Sequence, residues 1–371
     1  MEKRLEIEKL IEKGKLSNED ISELISGLSS NDIGIVDICK LALCNLKEER
    51  AISASKELVK LIESEDIVLR GFASEILINY SSYSIEALLP YLKSNNLETV
   101  KYTIDLLGLL GNESAFPPLI SLLNSPDINI VASVIEAIGN LNSKEAVSDI
   151  ISLFSNSKDL QPVIIETMGK LGGEKAEQFL IKIIDNEDLF LRVLAIDAIG
   201  ICSENIEISK TLLKNINNYP EELQLILLKS IFAISYRCNY DLDLPLKNRI
   251  IAYKAIDNVD DDIKMSGLAA LGNEFENEDI QHLIKLICLN KSEIQQWILF
   301  NLVNYNTSKI RHFFDTYFSE PREYMIEFIS NILLILHDLG ESESRLLKSD
   351  IVKIINERDI DSKSTVIDLL N

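Results

Sequence analysis

Three histidines, 5 cysteines and 59 carboxylates are the side chains of this 371-residue sequence best suited to acid–base, nucleophilic or metal chemistry. His282, His312 and His337 form no His-x-x-x-His pair, and none follows a cysteine at the spacing of zinc ligands. His337, in "ILHDLG", reads as a satisfied helix residue. "DNVDDD", from Asp257 to Asp262, has some of the acids of a calcium loop. Val259 takes its third ligand place, and Asp262 stands where the loop needs a sixth-position glycine. These acids therefore read as charges gathered before a helix N-terminus, where the helix dipole favours them. Neither G-x-x-x-x-G-K nor G-x-G-x-x-G occurs, and "LGGEK" at Leu171 to Lys175 reads as a helix stop followed by a helix start. The cysteines, Cys39, Cys44, Cys202, Cys238 and Cys288, are odd in number and scattered, mostly among apolar neighbours as in "IVDICKLALC". That predicts reduced, buried thiols in a cytoplasmic protein. The expectation is a chain with no catalytic residue, no cofactor and no metal.

The formal charge is −22. Such a field repels phosphate backbones and anionic bilayers, which argues against nucleic acid and membrane partners. It serves solubility or favours a basic partner. "MEKRLEIEKLIEKGKL" alternates charged and apolar residues from the start, unlike a signal peptide, and no apolar run approaches the ~18 residues of a membrane helix.

The elements that carry these residues follow from a repeat. "EAIG", "ETMG" and "DAIG" end on Gly139, Gly169 and Gly200, and "DLLG" ends on Gly108, so the steps are 31, 30 and 31 residues. A period of this size marks a stacked array, whose core grows by one unit at a time. One unit, "AFPPLISLLNSPDINIVASVIEAIGNL", shows the plan. Leu119, Leu122 and Leu123 fall at helical spacing; "NSPD" breaks the helix; Ile130, Val131, Val134, Ile135 and Ile138 mark a second helix. Asp127 is placed to cap that helix, and the mark recurs as Asp32, Asp66, Asp159, Asp188 and Asp262, with Leu97, Glu221 and Glu293 at the place in other units. Gly139 stands where the second helix should end, a position where a left-handed conformation costs glycine little. About eleven units are expected over residues 1–371 as one all-α solenoid, the last two ragged near Glu323 and Asp361. Residues 1–30 suit a terminal cap, with a charged helix from Glu2 to Lys13 and a capping box at "SNED", Ser17 to Asp20. The long loop from Tyr236 to Arg249 is either a hinge or a surface insertion.

These residues carry a likeness. "D-I-x-x-V-x-x-x-I-E-A-I-G-x-L" from Asp127 resembles the HEAT repeat, in particular the short HEAT-like unit of phycobiliprotein lyases; "DLFLRVLAIDAIG", Asp188 to Gly200, is similar, with Arg192 four residues after the Asp, and "DIVLRGFASEIL" repeats this with Asp66 and Arg70. The arginine is Val36, Val131 and Val163 elsewhere, which weakens an Asp–Arg ladder between repeats. The resemblance implies a right-handed α-solenoid (superhelix) with second helices lining its concave side. It also implies a spread of functions, from scaffolds and adaptors to a few enzymes. HEAT-like di-iron hydroxylases use His-Glu pairs, and no His-Glu dipeptide occurs here. HEAT-like DNA glycosylases need a basic channel with aromatic residues, whereas the only tryptophan, Trp297, lies in a unit without a positive cluster.

Aligning the second helices on their glycines places a carboxylate three residues before each, Asp105, Glu136, Glu166 and Asp197, with Glu75 at the equivalent place in the preceding unit. Helices packed about 8–10 Å apart would space these acids over roughly 40 Å. One turn earlier stand Phe72, Tyr102, Ser133, Val163 and Leu194. An open face kept only for solubility would account for the acids, because glutamate is a good helix former. The apolar stripe in register favours a groove for a basic, partly apolar protein segment such as an amphipathic helix. The sequence therefore predicts a non-enzymatic, cytoplasmic protein-binding scaffold or adaptor. An accessory enzyme or chaperone resembling the bilin lyases is the alternative, and a DNA-binding or glycosylase-like protein stands behind it.

Overall fold

The computed structural model of the chain describes residues 16–240, 248–272, 275–289, 292–305 and 307–317, with isolated positions at 7, 10, 244, 348–349, 351–354, 356–357 and 367. Among the described residues every regular element is a helix. His337, Glu323, Asp361 and most of the helix expected over Glu2 to Lys13 lie outside them, although Ile7 and Leu10 are buried. The chain divides into two compact units, Met1–Ser203 and Glu204–Asn371.

The first unit alternates short first helices with longer second helices. The first helices are α1 (Asn18–Gly27), α3 (Glu49–Leu58), α5 (Ile85–Leu88), α7 (Phe116–Ser121), α9 (Val147–Ser152) and α11 (Glu174–Ile184). The second helices, which follow each in turn, are α2 (Ile33–Cys44), α4 (Ile67–Asn79), α6 (Leu97–Leu110), α8 (Ile128–Asn140), α10 (Gln161–Leu171) and α12 (Leu189–Cys202). Each second helix packs on the next, α2 on α4 through to α12. In α8 the apolar positions Ile130, Val131, Val134, Ile135 and Ile138 are all buried, as their helical spacing requires.

One local device starts most of these second helices. A Ser or Asn side chain accepts a hydrogen bond from the backbone N–H two residues on, and that second residue then caps the helix. Ser64 receives the N–H of Asp66 at 3.2 Å, Ser125 that of Asp127 at 3.2 Å, and Asn186 that of Asp188 at 2.8 Å. Asp66 then accepts from Val68 and Leu69, Asp127 from Asn129 and Ile130, and Asp188 from Phe190 and Leu191. Asp32 caps α2 in the same way, and Ser17 and Asp20 form the expected capping box.

Three cap assignments shift. Asn96, not Leu97, caps α6, and Leu97 is its first residue. Asp159 is no cap: Ser157 takes that role for a short 3-10 turn ahead of α10. A cap at Asp159 would have only one of the two bonds that Asp66, Asp127 and Asp188 make, because Pro162 has no N–H. In the second unit Asp260 caps the helix that Asp262 was expected to begin, because Asn258 receives its N–H at 2.9 Å. The cap argument therefore predicts a contrast. Asp188→Ala should lower stability by about 1 kcal/mol, and Asp159→Ala should change it by less than about 0.5 kcal/mol. Urea unfolding followed by circular dichroism measures both, and equal losses would count against it.

The repeated glycines do not end helices. Gly108, Gly139, Gly169 and Gly200 lie within α6, α8, α10 and α12, all buried. Glycines with positive φ end two of these helices a few residues later, Gly111 in the left-handed helical conformation (φ 64°) and Gly172 with an extended ψ (φ 60°). What fixes the repeated glycine is the next second helix. A Cβ on Gly108 would lie 2.9 Å from both Cα and Cβ of Ala137; one on Gly139, 3.1 Å from Cγ2 of Thr167; one on Gly169, 2.9 Å from Cβ of Ala198. Each contact residue stands two before the next glycine, so these four helices run parallel and in one register.

The second unit continues with α13 (Ile206–Asn215), α14 (Glu221–Arg237), α15 (Arg249–Ile256), α16 (Asp261–Ala270), α17 (Asn277–Leu289), α18 (Ser292–Tyr305) and α19 (Thr307–Tyr317). Pro220 precedes α14, with Glu221 as its first residue. Tyr236, expected to open the long loop, lies in the last turn of α14; it and Tyr240 beyond the helix are exposed, and Leu244 is buried. The break between compact units falls at Ser203–Glu204, ahead of that loop.

Candidate functional site

The parallel register of α4, α6, α8, α10 and α12 brings the five carboxylates to one place on successive helices. Glu75, Glu136 and Glu166 are exposed, and Asp105 and Asp197 are half-buried. Two of them already hold cations. Lys40 reaches Glu75 at 2.6 Å from the preceding second helix, and Lys101 reaches Asp105 at 3.0 Å from one turn back. Exposed pairs of this kind contribute about 0–1 kcal/mol, so they dim the local field more than they stabilise the fold. Glu136 and Glu166 have no ion pair among the described residues, and they are the open centre of the row.

The stripe one turn earlier is less open than an exposed apolar groove. Phe72, Tyr102, Val163 and Leu194 are half-buried, and Ser133 is buried. The rings bridge successive second helices. The ammonium of Lys40 stands 5.3 Å from the centroid of Phe72, and the guanidinium of Arg70 stands 5.8 Å from that of Tyr102. The Tyr102 hydroxyl and Ser74 Oγ share a hydrogen bond of 2.7 Å. Arg70 also pairs with Glu98 at 3.3 Å, while Arg192 donates from Nε to the carbonyl of Ile184 at 2.8 Å. The arginines of the repeat thus serve a neighbouring acid in one unit and a helix end in another, without a continuous Asp–Arg ladder.

The cysteine, histidine and tryptophan side chains are spread along the chain. Cys39 is buried, but Cys44, Cys202 and Cys238 are only partly so, a correction to the expectation of uniformly buried thiols; the Cys288 side chain lies outside the described residues. Burial, and then the charge of Glu75, push the Cys44 thiol up, which keeps it protonated and unreactive. His282 stacks on Tyr253 with centroids 4.0 Å apart, and His312 is exposed. Trp297 is half-buried beside Phe275. Among the described residues no three His, Cys, Asp or Glu side chains gather as a metal site, and no helix is long and apolar enough to cross a membrane.

One set of residues escaped the alignment on glycine. The first residue of a second helix is repeatedly a large apolar side chain in water: Ile33, Ile67, Leu97, Ile128 and Leu189. Alignment on the cap residue, instead of the glycine, would have found it.

The class defined by these elements is an α-solenoid of helix pairs that presents one face of its second helices. Residues 85–161 and 116–200 match the model of the HEAT repeats family. Over those residues the chain carries HEAT repeats, as the resemblance implied. A chain of the Kap95:Nup1 complex shares the fold, with a TM-score of 0.56 at 13% identity, covering 91% of this chain and 51% of that one. An importin beta structure is similar at a TM-score of 0.49 and 11% identity, covering 91% and 54%. This chain therefore spans about half the length of each. The complex of CpcE and CpcF of phycocyanin lyase from Nostoc sp. PCC7120 aligns at a TM-score of 0.34 and 21% identity, covering 61% of this chain and 93% of that one. No curated protein matches the chain.

Proposed function

We propose that this HEAT-repeat chain is a non-enzymatic scaffold that binds a basic, partly apolar protein segment on the open, concave face of its second helices. The observation that carries this reading is the row Glu75, Asp105, Glu136, Glu166 and Asp197 on consecutive parallel helices of a chain with net charge −22. Half-buried Phe72, Tyr102, Val163 and Leu194 flank it and would offer edges of apolar surface. The acids would raise association rate and selectivity, and the apolar contacts would slow release. At physiological salt the screening length is about 8 Å, so the exposed acids repel one another weakly and the row persists without a bound cation.

The test is a charge reversal at the open centre of the row. Glu136→Lys with Glu166→Lys should leave the fold intact and slow association of the captured natural partner by about tenfold at low salt, with a smaller effect near 0.15 M. Stopped-flow binding at two salt concentrations reads this directly. Unchanged association in both, with the variant still folded, would move the binding surface elsewhere on the chain.

A further inference from the structure

Four consecutive second helices, α2, α4, α6 and α8, begin with an aliphatic side chain held in water. Ile33 is 76% exposed, Ile67 74%, Leu97 55% and Ile128 38%, with Val68 beside Ile67 at 61%. Single exposed apolar residues are ordinary. Four at one repeat position on successive packed helices form a ridge, and nothing local demands them there: the capping hydrogen bonds come from Asp32, Asp66, Asn96 and Asp127, and any helix former would serve at the next residue. The ridge stops at α10, where Gln161 is the first residue and Leu160 turns into the core.

The turns beside it are acidic, although Arg70 of α4 pairs with one of their acids, Glu98. The four turns Ser30–Gly34, Ser64–Val68, Ser94–Glu98 and Ser125–Asn129 contain five carboxylates, Asp32, Glu65, Asp66, Glu98 and Asp127, and no lysine or arginine. A second copy of a chain at −22 is a poor occupant for such a surface. A cationic, amphipathic one is complementary to it.

We propose that this ridge seats a lysine- or arginine-rich amphipathic helix whose apolar residues recur every seven positions. The inference rests on the reading of the chain as a scaffold for a basic, partly apolar segment, and it supplies the form of that segment. Packed helices stand about 8–10 Å apart, so the apolar knobs repeat at that step. Seven residues of α-helix rise about 10.5 Å, which places one apolar side chain of the ligand at each knob. About three heptads span the four helices. A polyproline-II segment, with three residues per turn, could match the step at every third residue, but it would bring unpaired backbone groups to a ridge of aliphatic side chains. A helix satisfies its own backbone, and its flanking cations would reach the five acids beside the ridge.

The test uses the full chain and two synthetic peptides of one composition, about three heptads long and rich in lysine. One carries leucines seven apart, and the other carries them three apart. By fluorescence anisotropy the heptad peptide should bind at least about tenfold more tightly than its isomer and gain helical circular dichroism on binding. Ile67→Asn with Leu97→Asn and Ile128→Asn should abolish that preference, while the variant keeps the parent's helical content. Equal binding of the two peptides, or an unchanged preference in the ridge variant, overturns the proposal. If the ridge variant is unaffected while Glu136→Lys with Glu166→Lys weakens binding, the scaffold reading stands and the ridge is excluded. Binding of neither peptide by the parent overturns the ridge. A parent dimer that the ridge variant dissociates, seen by sedimentation, assigns the ridge to a second copy and also overturns it.

Discussion

Gly169→Ala should destabilise the first unit, and Gly169→Val should do so by about 1–3 kcal/mol, even though glycine is a poor helix residue. In an open helix, replacing glycine by alanine gains about 1 kcal/mol. Here the new Cβ would stand 2.9 Å from Cβ and 3.0 Å from Cα of Ala198, so the obstacle includes backbone of the neighbouring helix. Interiors at crystal-like density relieve such a contact only by moving helices apart, which costs packing along their length. Gly139 is the internal control. A Cβ there would meet Cγ2 of Thr167 at 3.1 Å and Cδ of Lys170 at 3.3 Å, side-chain atoms only, so a few tenths of an ångström of give relieves the contact without moving a backbone. Gly139→Ala should therefore be near neutral. Urea unfolding followed by circular dichroism compares the two, and equal, near-neutral values would remove close helix approach as the reason for the repeated glycine.

Asp279→Ala should be the most damaging single change in the second unit, by about 3–5 kcal/mol. Asp279 is fully buried and sits among three partners. The guanidinium of Arg249 donates to it, the Tyr253 hydroxyl donates at 2.6 Å, and the backbone N–H of Glu276 donates at 2.5 Å. Burial, followed by this hydrogen bond, pushes the Tyr253 phenol above its ordinary range, so the donor stays protonated at neutral pH. The cluster joins α15 to the start of α17, and His282 stacks on Tyr253 from the same helix. Removing the carboxylate takes a fully buried counter-charge from a largely buried guanidinium, the costly half of breaking a buried pair. Asp279→Asn keeps an acceptor for Tyr253 and should lose less. Trp297, the only tryptophan, lies in α18 of this unit, so its fluorescence during urea unfolding follows the change directly. Equal losses in the alanine and asparagine variants would show that Asp279 supplies charge and not the acceptor for Tyr253, and a near-neutral alanine variant would remove the buried pair as a source of stability.

Whatever depends on neighbours in sequence was legible without coordinates. The helix pairs followed from apolar spacing in stretches such as Leu119 to Ile138, and most caps from an acid placed just before it. Both are consequences of helical geometry and of unsatisfied N–H groups in a first turn. The cap errors were local as well. Pro162 lacks one of the two N–H groups that a cap at Asp159 would hold, and Asn258 marks Asp260 as the cap expected at Asp262.

Contacts between residues about thirty apart were decided only by the tertiary structure. A glycine near a helix end reads equally as a left-handed stop or as a gap for a neighbour, and Ala137 and Ala198 settle the matter for Gly108 and Gly169. The register of the five acids was visible in the sequence, but the pairing of Glu75 with Lys40 was not, because that lysine belongs to another helix. Phe72 and Tyr102 looked like an open stripe until Lys40 and Arg70 were found beside their rings. For Ile33, Ile67, Leu97 and Ile128 the reverse held: apolar residues that composition assigns to a core lie in water. Helical periodicity states which residues share a side of a helix, whereas exposure depends on what the next repeat places against that side, and that is a property of the stacked array.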